Sequence, residues 1–321
     1  MDQRIDVLGL GCAAVDDLLY VDAYPAPDSK APVRARERQC GGLILTALVA
    51  AARMGCRCAY AATLGDDDYS QAVVARLDEE GIDTALLRRH SDARPVRSTI
   101  IVAPGRQGRT ILYELDGVVG TDTTWPEEDA IRRARLLLID HFGVAGMIRA
   151  AGIARAAGIP VVADFEKADD PRLPELLGLV DHLILSRDFA SQVTGRSEPS
   201  DAVRALWTSR RRAAVVTCGD QGCWFISDDQ PAVPRHEPAL AVEAVDTTGC
   251  GDVFHGAYAA ALVHGLPVAG AVRFATVAAG LKATCRGGQE GIPSRAAVET
   301  ELANKQLPFP ASGRGAGGEG G

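Results

Sequence analysis

The segment Asp246-Thr247-Thr248-Gly249-Cys250-Gly251-Asp252 follows an apolar run, Leu240–Val245, and precedes an alanine-rich stretch that reaches about Val263. The apolar run predicts a strand and the alanine-rich stretch predicts a helix, so the glycines fall in the turn between them. Glycine lets backbone N–H groups approach a ligand closely, and a helix start favours negative charge. The pattern therefore predicts a phosphate-binding turn, with a simple capped helix start as the alternative.

Asp252 would lie in the first turn of that helix, beside the anion. A carboxylate in this place is useful if it accepts the proton of an attacking hydroxyl, which phosphoryl transfer to an alcohol requires. The segment is not a P-loop, because no Lys-Ser/Thr pair follows the glycines.

The rest of the chain alternates between short apolar runs and helical stretches. A first strand is predicted at Ile5–Gly9, and later ones at Leu136–Ile139, Val161–Ala163, Leu183–Leu185 and Ala214–Thr217. Helices are predicted between them, such as Met147–Ala157 and Asp201–Arg211. Repeated strand–helix–strand units predict an α/β fold with a mostly parallel sheet flanked by helices.

Two early segments do not fit this sheet. Tyr20–Glu37 is rich in proline and charge, and Arg97–Val102 pairs with Arg109–Tyr113 across a turn at residues 104–108 in a predicted hairpin. We expect a small β lid from about residues 17–39 and 97–113. Residues 1–306 form one predicted domain, and residues 307–321 a disordered tail rich in Gly and Pro.

Composition narrows the partners. A net charge of −8 argues against nucleic acid and anionic membranes. The longest apolar run, Leu43–Ala52, is about half of the ~20 residues of a spanning helix, and no signal peptide is visible. The eight cysteines lack zinc-ligand spacing and are read as free thiols. We expect a soluble cytoplasmic protein.

Several motifs in order resemble the PfkB family of carbohydrate kinases, which has the ribokinase-like fold. The segment 246–252 differs from the usual family form only by Cys250 in place of alanine. The resemblance covers about residues 5–300. Its other motifs are Asp16, Gly41-Gly42, Gly65-Asp66-Asp67 and Gly219-Asp220-Gln221-Gly222.

The resemblance implies an enzyme that uses ATP and Mg²⁺ to phosphorylate a small sugar, with the lid as a homodimer contact. Asp252 would be the catalytic base, and the turn formed by Gly249, Cys250 and Gly251 would be the anion hole. The sugar would contact Asp16, Gly41, Gly42 and position 46. The nucleotide would contact Gly219, Asp220, Gly222 and Thr248, while Asp246 and Thr248 match positions that bind a monovalent cation such as K⁺ in some members.

The chain departs from the family at the sugar and magnesium sites. Thr46 replaces the usual sugar-binding asparagine, Leu43 replaces a polar residue, and Phe189 stands where the Asn-x-x-Glu motif has glutamate. The sequence Asp164-Phe165-Glu166-Lys167 is similar to ketohexokinase-like members, and the segments 252–256 and 286–293 are similar to sulfofructose kinases. These likenesses favour a ketose-like substrate of the fructose or sulfofructose type.

Three further residues are candidate substrate contacts. Arg109 lies in the predicted lid, where a solvated strand charge is the alternative. Asp140 and His141 follow a core strand, at the edge where parallel sheets bind ligands, and turn capping is their alternative. His255 is expected to pack or hydrogen-bond rather than to take part in catalysis.

Two other functions remain open from the sequence. A nucleoside kinase of the same family is compatible with the less polar sugar wall. A non-catalytic sugar-binding regulator would explain the missing asparagine and glutamate, but such a protein has no need for the base at Asp252.

Overall fold

The computed structural model describes residues 4–103, 109–231 and 233–304. The predicted tail 307–321 and the hairpin turn 104–108 lie outside these residues. The helices are α1 (Leu43–Arg53), α2 (Asp68–Glu79), α3 (Glu128–Arg132), α4 (Val144–Ala156), α5 (Leu173–Leu177), α6 (Arg187–Thr194), α7 (Pro199–Leu206), α8 (Cys250–Val263), α9 (Val268–Ala283) and α10 (Arg295–Asn304).

Eight strands form the central sheet, in the spatial order β14, β13, β12, β11, β10, β9, β1, β4. These strands are β1 (Ile5–Leu10), β4 (Cys58–Ala61), β9 (Ala134–Ile139), β10 (Val161–Asp164), β11 (His182–Ser186), β12 (Ala213–Thr217), β13 (Cys223–Ser227) and β14 (Arg235–Glu237). All neighbours from β4 to β12 pair in parallel, and only β13 and β14 are antiparallel. The prediction of a mostly parallel sheet is confirmed.

The sheet is apolar on both faces because each face is covered by helices. In β9, Leu136 and Leu138 belong to the hydrophobic cluster that contains α1, α8 and α9, whereas Leu137 and Ile139 belong to the cluster on the α4 side. Alternation along the strand sends successive side chains to opposite cores, so the strand reads as a continuous apolar run. This explains why the positions of the buried strands could be predicted from apolar runs in the sequence.

A second sheet of four strands stands apart from the first, in the order β3 (Val33–Gly41), β2 (Ala14–Val21), β7 (Val96–Val102), β8 (Arg109–Glu114). It combines the two early segments, as predicted for the lid. A two-stranded sheet of β5 (Thr63–Leu64) and β6 (Arg88–Arg89) completes the strands in the described part of the chain.

Two local predictions are wrong. Leu240–Val245 is not a strand. Leu240 packs against Gly280 of α9, and several of the other residues line a cavity, so their apolar character serves packing rather than a β ladder. The helix predicted at Asp201–Arg211 is α7 and ends at Leu206. Arg211 lies beyond it, buried, and donates to the carbonyl oxygens of Leu206 and Val180.

The antiparallel edge strands β13 and β14 have no counterpart among the sequence predictions. No helix among residues 4–103, 109–231 and 233–304 is long and apolar enough to cross a lipid bilayer.

A buried carboxylate ties the start of β1 to its neighbours. Asp6 Oδ2 accepts from Arg57 Nε at 3.0 Å, and Oδ1 accepts from Arg135 Nη1 at 3.0 Å. Burial opposes ionisation, but these bonds from Arg57 and Arg135 outweigh it and hold the pKa of Asp6 well below its usual value.

We expect Asp6→Asn to lower the free energy of unfolding by about 1 kcal/mol at pH 7, a figure reduced because both arginines are partly exposed. Since the folded pKa is depressed, this stabilisation is present above the unfolded pKa of 3.8 and is lost as the pH falls below it. Urea denaturation at neutral and acidic pH measures the difference. Asp22→Asn, which removes an exposed partner of Arg34, serves as the control and should change stability little. A loss for Asp6→Asn that does not depend on pH would contradict this account.

Candidate active site

The turn before α8 has the conformation that the sequence predicts. Gly249 is the N-cap with φ 74°, in the left-handed region, and a Cβ there would lie 2.8 Å from the carbonyl oxygen of Gly288. Any other residue would be strained, so glycine is required. A Cβ on Gly251 would meet nothing within 4 Å, so the helix start opens onto free space. Asp252 lies in the first turn.

One backbone N–H of the predicted anion hole already has a hydrogen-bond partner within the protein. The Cys250 N–H donates to the Thr247 carbonyl at 3.3 Å, a long bond that leaves it weakly held. Cys250 and Gly251 both line a cavity of about 580 Å³. The N-terminal end of α8 therefore points its positive dipole end into that cavity.

The predicted nucleotide residues lie in the wall of the same cavity. Gly219, Asp220 and Gly222 line it, opposite residues from α8 and α9. The lining residues from α9 are Thr276, Ala279, Gly280 and Ala283, and an apolar strip is contributed by Ala239–Val242 and Ala244. The cavity is polar at the glycine turn and apolar away from it, which suits a nucleotide with its phosphates at α8.

Thr248 does not line this cavity, contrary to the prediction. It is buried, and its backbone N–H donates to Asp246 Oδ1 at 2.8 Å. Thr247 is exposed and lines the cavity instead. The two threonines are adjacent in an irregular turn, so the sequence alone did not tell which one faces the ligand.

The residues predicted to bind a monovalent cation lie beside a buried lysine. Asp246 accepts Thr248 N on Oδ1 and Gly287 N on Oδ2, and its carbonyl oxygen accepts Lys282 Nζ at 2.9 Å. Burial opposes ionisation, but the hydrogen bonds from Thr248 and the charge of Lys282 hold the pKa of Asp246 below its usual value. The buried carboxylate therefore already has a cation beside it.

The carboxylate of Asp16 lies on the small sheet, in the strand that follows β1. Asp16 on β2 is 9% exposed, and burial raises its pKa to about 6 despite a hydrogen bond with Ser98. A Cβ on Gly41 would lie 2.0 Å from Asp16 Oδ2, so only glycine leaves room for this carboxylate. The first glycine of the di-glycine motif thus lies directly against the Asp16 carboxylate. A carboxylate in this place can accept a hydrogen bond from a sugar hydroxyl.

Asp140 braces the site rather than lining it, so its assignment as a substrate contact is corrected. It is fully buried, and its two oxygens accept the N–H groups of Cys12 at 2.7 Å and Phe142 at 2.8 Å. Burial raises the pKa of Asp140 to about 7. The two hydrogen bonds to Asp140 link the carboxyl ends of β1 and β9. Cys12, which the sequence reasoning missed, is also close enough to Asp252 for that carboxylate to raise its thiol pKa, although burial and Asp140 contribute more.

His141 retains an available donor. Its Nδ1 accepts from the Glu166 N–H at 3.5 Å, so the proton of the neutral ring lies on Nε2. Burial, with Lys167 nearby, lowers the pKa of His141 to about 4, which keeps the ring neutral. Nε2 has no hydrogen-bond partner among the described residues. This buried nitrogen is the unsatisfied polar atom of the ring.

Thr46 belongs to a different set of contacts from those predicted. It lies in α1, 1% exposed, and its hydroxyl accepts from Gln289 Nε2 at 3.1 Å. Gln289 in turn accepts from Arg76 Nε on α2. Position 46, which the family resemblance assigns to the sugar, therefore joins α1 to the loop after α9 through a threonine–glutamine pair.

The other predicted departures are also explained by packing. Leu43 joins an apolar cluster with Cys12, Ala14 and Val96 beside the small sheet. Phe189 on α6 is 3% exposed and packs in the core rather than facing phosphate. Next to it, Arg187 Nη1 donates to Gln221 Oε1 at 3.0 Å, which places a cation beside the nucleotide loop.

His255 packs and hydrogen-bonds. Its Nδ1 lies 2.8 Å from the Gly251 carbonyl oxygen and 3.1 Å from Asp164 Oδ2, and Nε2 lies 3.2 Å from the Ile184 carbonyl oxygen. Burial lowers the pKa of His255 and raises that of Asp164. The ring fixes the first turn of α8 against the ends of β10 and β11. Arg109 is the first residue of β8, paired with Val102, and its side chain lies outside the described part of the structure.

The chain matches the model of the pfkB family carbohydrate kinases over residues 6–295, so it belongs to that family. It is a carbohydrate kinase with the ribokinase-like fold, an enzyme that transfers a phosphoryl group to an alcohol.

Similar proteins include ribokinases. The ribokinase of Bacillus subtilis is 25% identical over 294 residues, which cover 91% of this chain and 98% of that one. A crystal structure of a putative ribokinase from Agrobacterium tumefaciens superimposes with a TM-score of 0.86 at 29% identity, covering 95% of this chain and all of the other. The Arabidopsis thaliana ribokinase, solved with ribose and ATP, has a TM-score of 0.79 at 23% identity and covers 94% and 99% of the two chains.

We expect Gly41→Ala to raise KM for the acceptor substrate by about tenfold to a hundredfold, because the new methyl group displaces the Asp16 carboxylate. KM for the nucleotide should stay the same, since the cavity lined by the predicted nucleotide residues does not include Gly41. Steady-state kinetics with each substrate varied in turn separates the two constants.

Gly152→Ala is the matched control. A Cβ at Gly152 in α4 meets nothing within 4 Å, so both KM values should equal those of the unsubstituted protein. An unchanged acceptor KM in Gly41→Ala would show that Asp16 does not hold the acceptor.

Proposed function

We propose that this kinase transfers the γ-phosphoryl group of MgATP to a hydroxyl of a small free sugar, with Asp252 as base and the turn Gly249–Gly251 as anion hole. The supporting observation is the position of the α8 start. It borders the proposed nucleotide cavity through Cys250 and Gly251, and the Asp252 carboxylate is close enough to Cys12, just after β1, to contribute to the raised pKa of that thiol. One helical turn thus faces both the phosphoryl donor and the acceptor.

The reaction follows from this placement. The sugar hydroxyl gives its proton to the Asp252 carboxylate while its oxygen bonds to the γ-phosphorus. The bond from that phosphorus to the β–γ bridging oxygen breaks, ADP leaves, and Asp252 later releases the proton to water. Backbone N–H groups at the helix start stabilise charge on the transferring oxygens, which is the main task of a phosphoryl-transfer enzyme.

Magnesium is proposed to enter the site as a part of MgATP. No cluster of three or more His, Cys, Asp or Glu side chains with metal geometry occurs in the described residues. Mg²⁺ commonly binds through nucleotide phosphates and water with one or two carboxylates, so it fits as a part of MgATP. When bound, it neutralises phosphate charge, while Arg187 adds a positive charge near the nucleotide loop.

The acceptor is proposed to be an uncharged, ketose-like sugar. Asp16 offers a carboxylate acceptor and His141 offers an N–H donor, a pair that matches hydroxyl groups. The carboxylates of Asp16 and Asp252 would repel a substrate that carries a sulfonate. Fructose-type ketoses are therefore favoured over sulfofructose. The ketose preference itself rests on the likeness of Asp164-Phe165-Glu166-Lys167 to ketohexokinase-like members and of segments 252–256 and 286–293 to sulfofructose kinases.

A nucleoside is the second candidate acceptor. The apolar cluster of Cys12, Ala14, Leu43 and Val96 is extended by Val119 and Phe142. Such a wall can pack against a nucleobase as well as against a sugar ring.

The small sheet is proposed to be a lid that excludes water during transfer. Its strand β8 exposes Ile111, Leu112 and Tyr113, which are 46%, 57% and 52% exposed. These side chains alternate between the two faces of an edge strand, and exposed apolar side chains on such a strand suit a homodimer contact.

The test is ADP release from MgATP across free ketoses, aldoses, sulfofructose, sugar phosphates and nucleosides. We expect one class of free sugar to respond, and Asp252→Asn to lower kcat by about 10²- to 10⁴-fold with little change in nucleotide affinity, because it removes only the base. Asp201→Asn, an exposed aspartate on α7, is the matched control and should retain full activity. Undiminished turnover in Asp252→Asn would refute the assignment of the base, and a response restricted to nucleosides would favour the second candidate.

A further inference from the structure

Lys282 is the one fully buried lysine in the described part of the chain. It lies in the last turn of α9 and has no solvent exposure. Burying an ammonium group is costly unless oxygen atoms and negative charge surround it. The cost indicates that this lysine has a specific task.

The surroundings of the ammonium are those of a cation site. Lys282 Nζ donates to the carbonyl oxygen of Asp246 at 2.9 Å, and its charge acts on the Asp246 carboxylate. It also lies at the negative end of a helix of 16 residues, where a cation is favoured. Carbonyl oxygen, carboxylate and helix end together supply what a bound monovalent cation would need.

The position of this pair connects it to phosphoryl transfer. Asp246 opens the segment that leads to Gly249 and Asp252, and its carboxylate binds the N–H groups of Thr248 and Gly287. On α9, Gly280 and Ala283 line the nucleotide cavity on either side of Lys282 in the sequence. The contact therefore joins the anion-binding turn to the wall of the nucleotide cavity.

We propose that the Lys282 ammonium is a built-in monovalent cation, so that this kinase does not depend on K⁺. The inference deepens the proposed function and rests on it for the activity measurement alone. A second cation next to Asp246 would face the ammonium that is already fixed at the carbonyl oxygen of the same residue, and like charges at short range repel.

The first test compares salts on the unsubstituted protein at equal ionic strength: KCl, NaCl and tetramethylammonium chloride. We expect kcat, KM for MgATP and the melting temperature to be the same in all three. Ligands that couple to a site usually change affinity by about fivefold or more, so a K⁺-specific change of that size in kcat or KM would overturn the proposal. A melting temperature raised by K⁺ alone would overturn it as well, since specific binding to the folded state stabilises it.

The melting temperature needs neither sugar nor nucleotide. If no acceptor is phosphorylated, the proposed function fails, while the response of the melting temperature to K⁺ still decides the question of the cation.

The second test uses Lys282→Met, which retains most of the apolar stem and removes the charge. We expect a lower melting temperature in tetramethylammonium chloride and a partial recovery in KCl, because K⁺ can then occupy the site beside Asp246. Lys30→Met, the same change at an exposed lysine, should show no response to K⁺. The role of the ammonium would be refuted if Lys282→Met folds, is as stable as the unsubstituted protein and shows no change of melting temperature with K⁺. If the variant does not fold, the salt comparison on the unsubstituted protein decides.

Discussion

A base that serves phosphoryl transfer must keep its negative charge beside a polyanionic donor, and this repulsion constrains the whole site. The fold meets it with fixed positive charge from the backbone, at the N-terminal end of α8, on the side of the proposed nucleotide cavity. The helix can be held there because Gly249 takes a left-handed conformation and His255 fixes the first turn against β10 and β11. The proposed role of Asp252 as base therefore depends less on the carboxylate itself than on the position of the N-terminal end of α8.

The parallel sheet explains why the acceptor side converges on the same place. The strands β1 and β9 end side by side, and Asp140 closes their ends by accepting the N–H groups of Cys12 and Phe142. Its raised pKa is a consequence of complete burial in this structural task. Asp16, by contrast, reaches the edge from the small sheet, where Gly41 leaves space for its carboxylate. Two carboxylates at one edge thus have different roles, which are set by their surroundings.

The parts that the sequence predicted are those governed by local chemistry. Buried strands such as β9 and β11 read as apolar runs, and the glycine turn before α8 carries its own conformational signal. The failures come from contacts between distant segments. Leu240–Val245 is apolar because it packs on α9 and lines a cavity, and no local pattern separates that from a strand. Likewise, the choice of Thr247 over Thr248 as the cavity-lining residue depends on how the whole turn is oriented.

The residues that the sequence reasoning missed share a physical feature, since each acts through a partner far away in the chain. Gln289 binds Thr46 across 243 positions, and Cys12 binds Asp140 across 128. Lys282 looks like an ordinary residue at a helix end, and only its complete burial against Asp246 distinguishes it. A buried polar group must be satisfied by a specific partner, and the burial that creates this need is visible only in the folded structure. In α9, Lys282 is the one charged residue among the buried side chains, and the need to pair its charge follows from that burial.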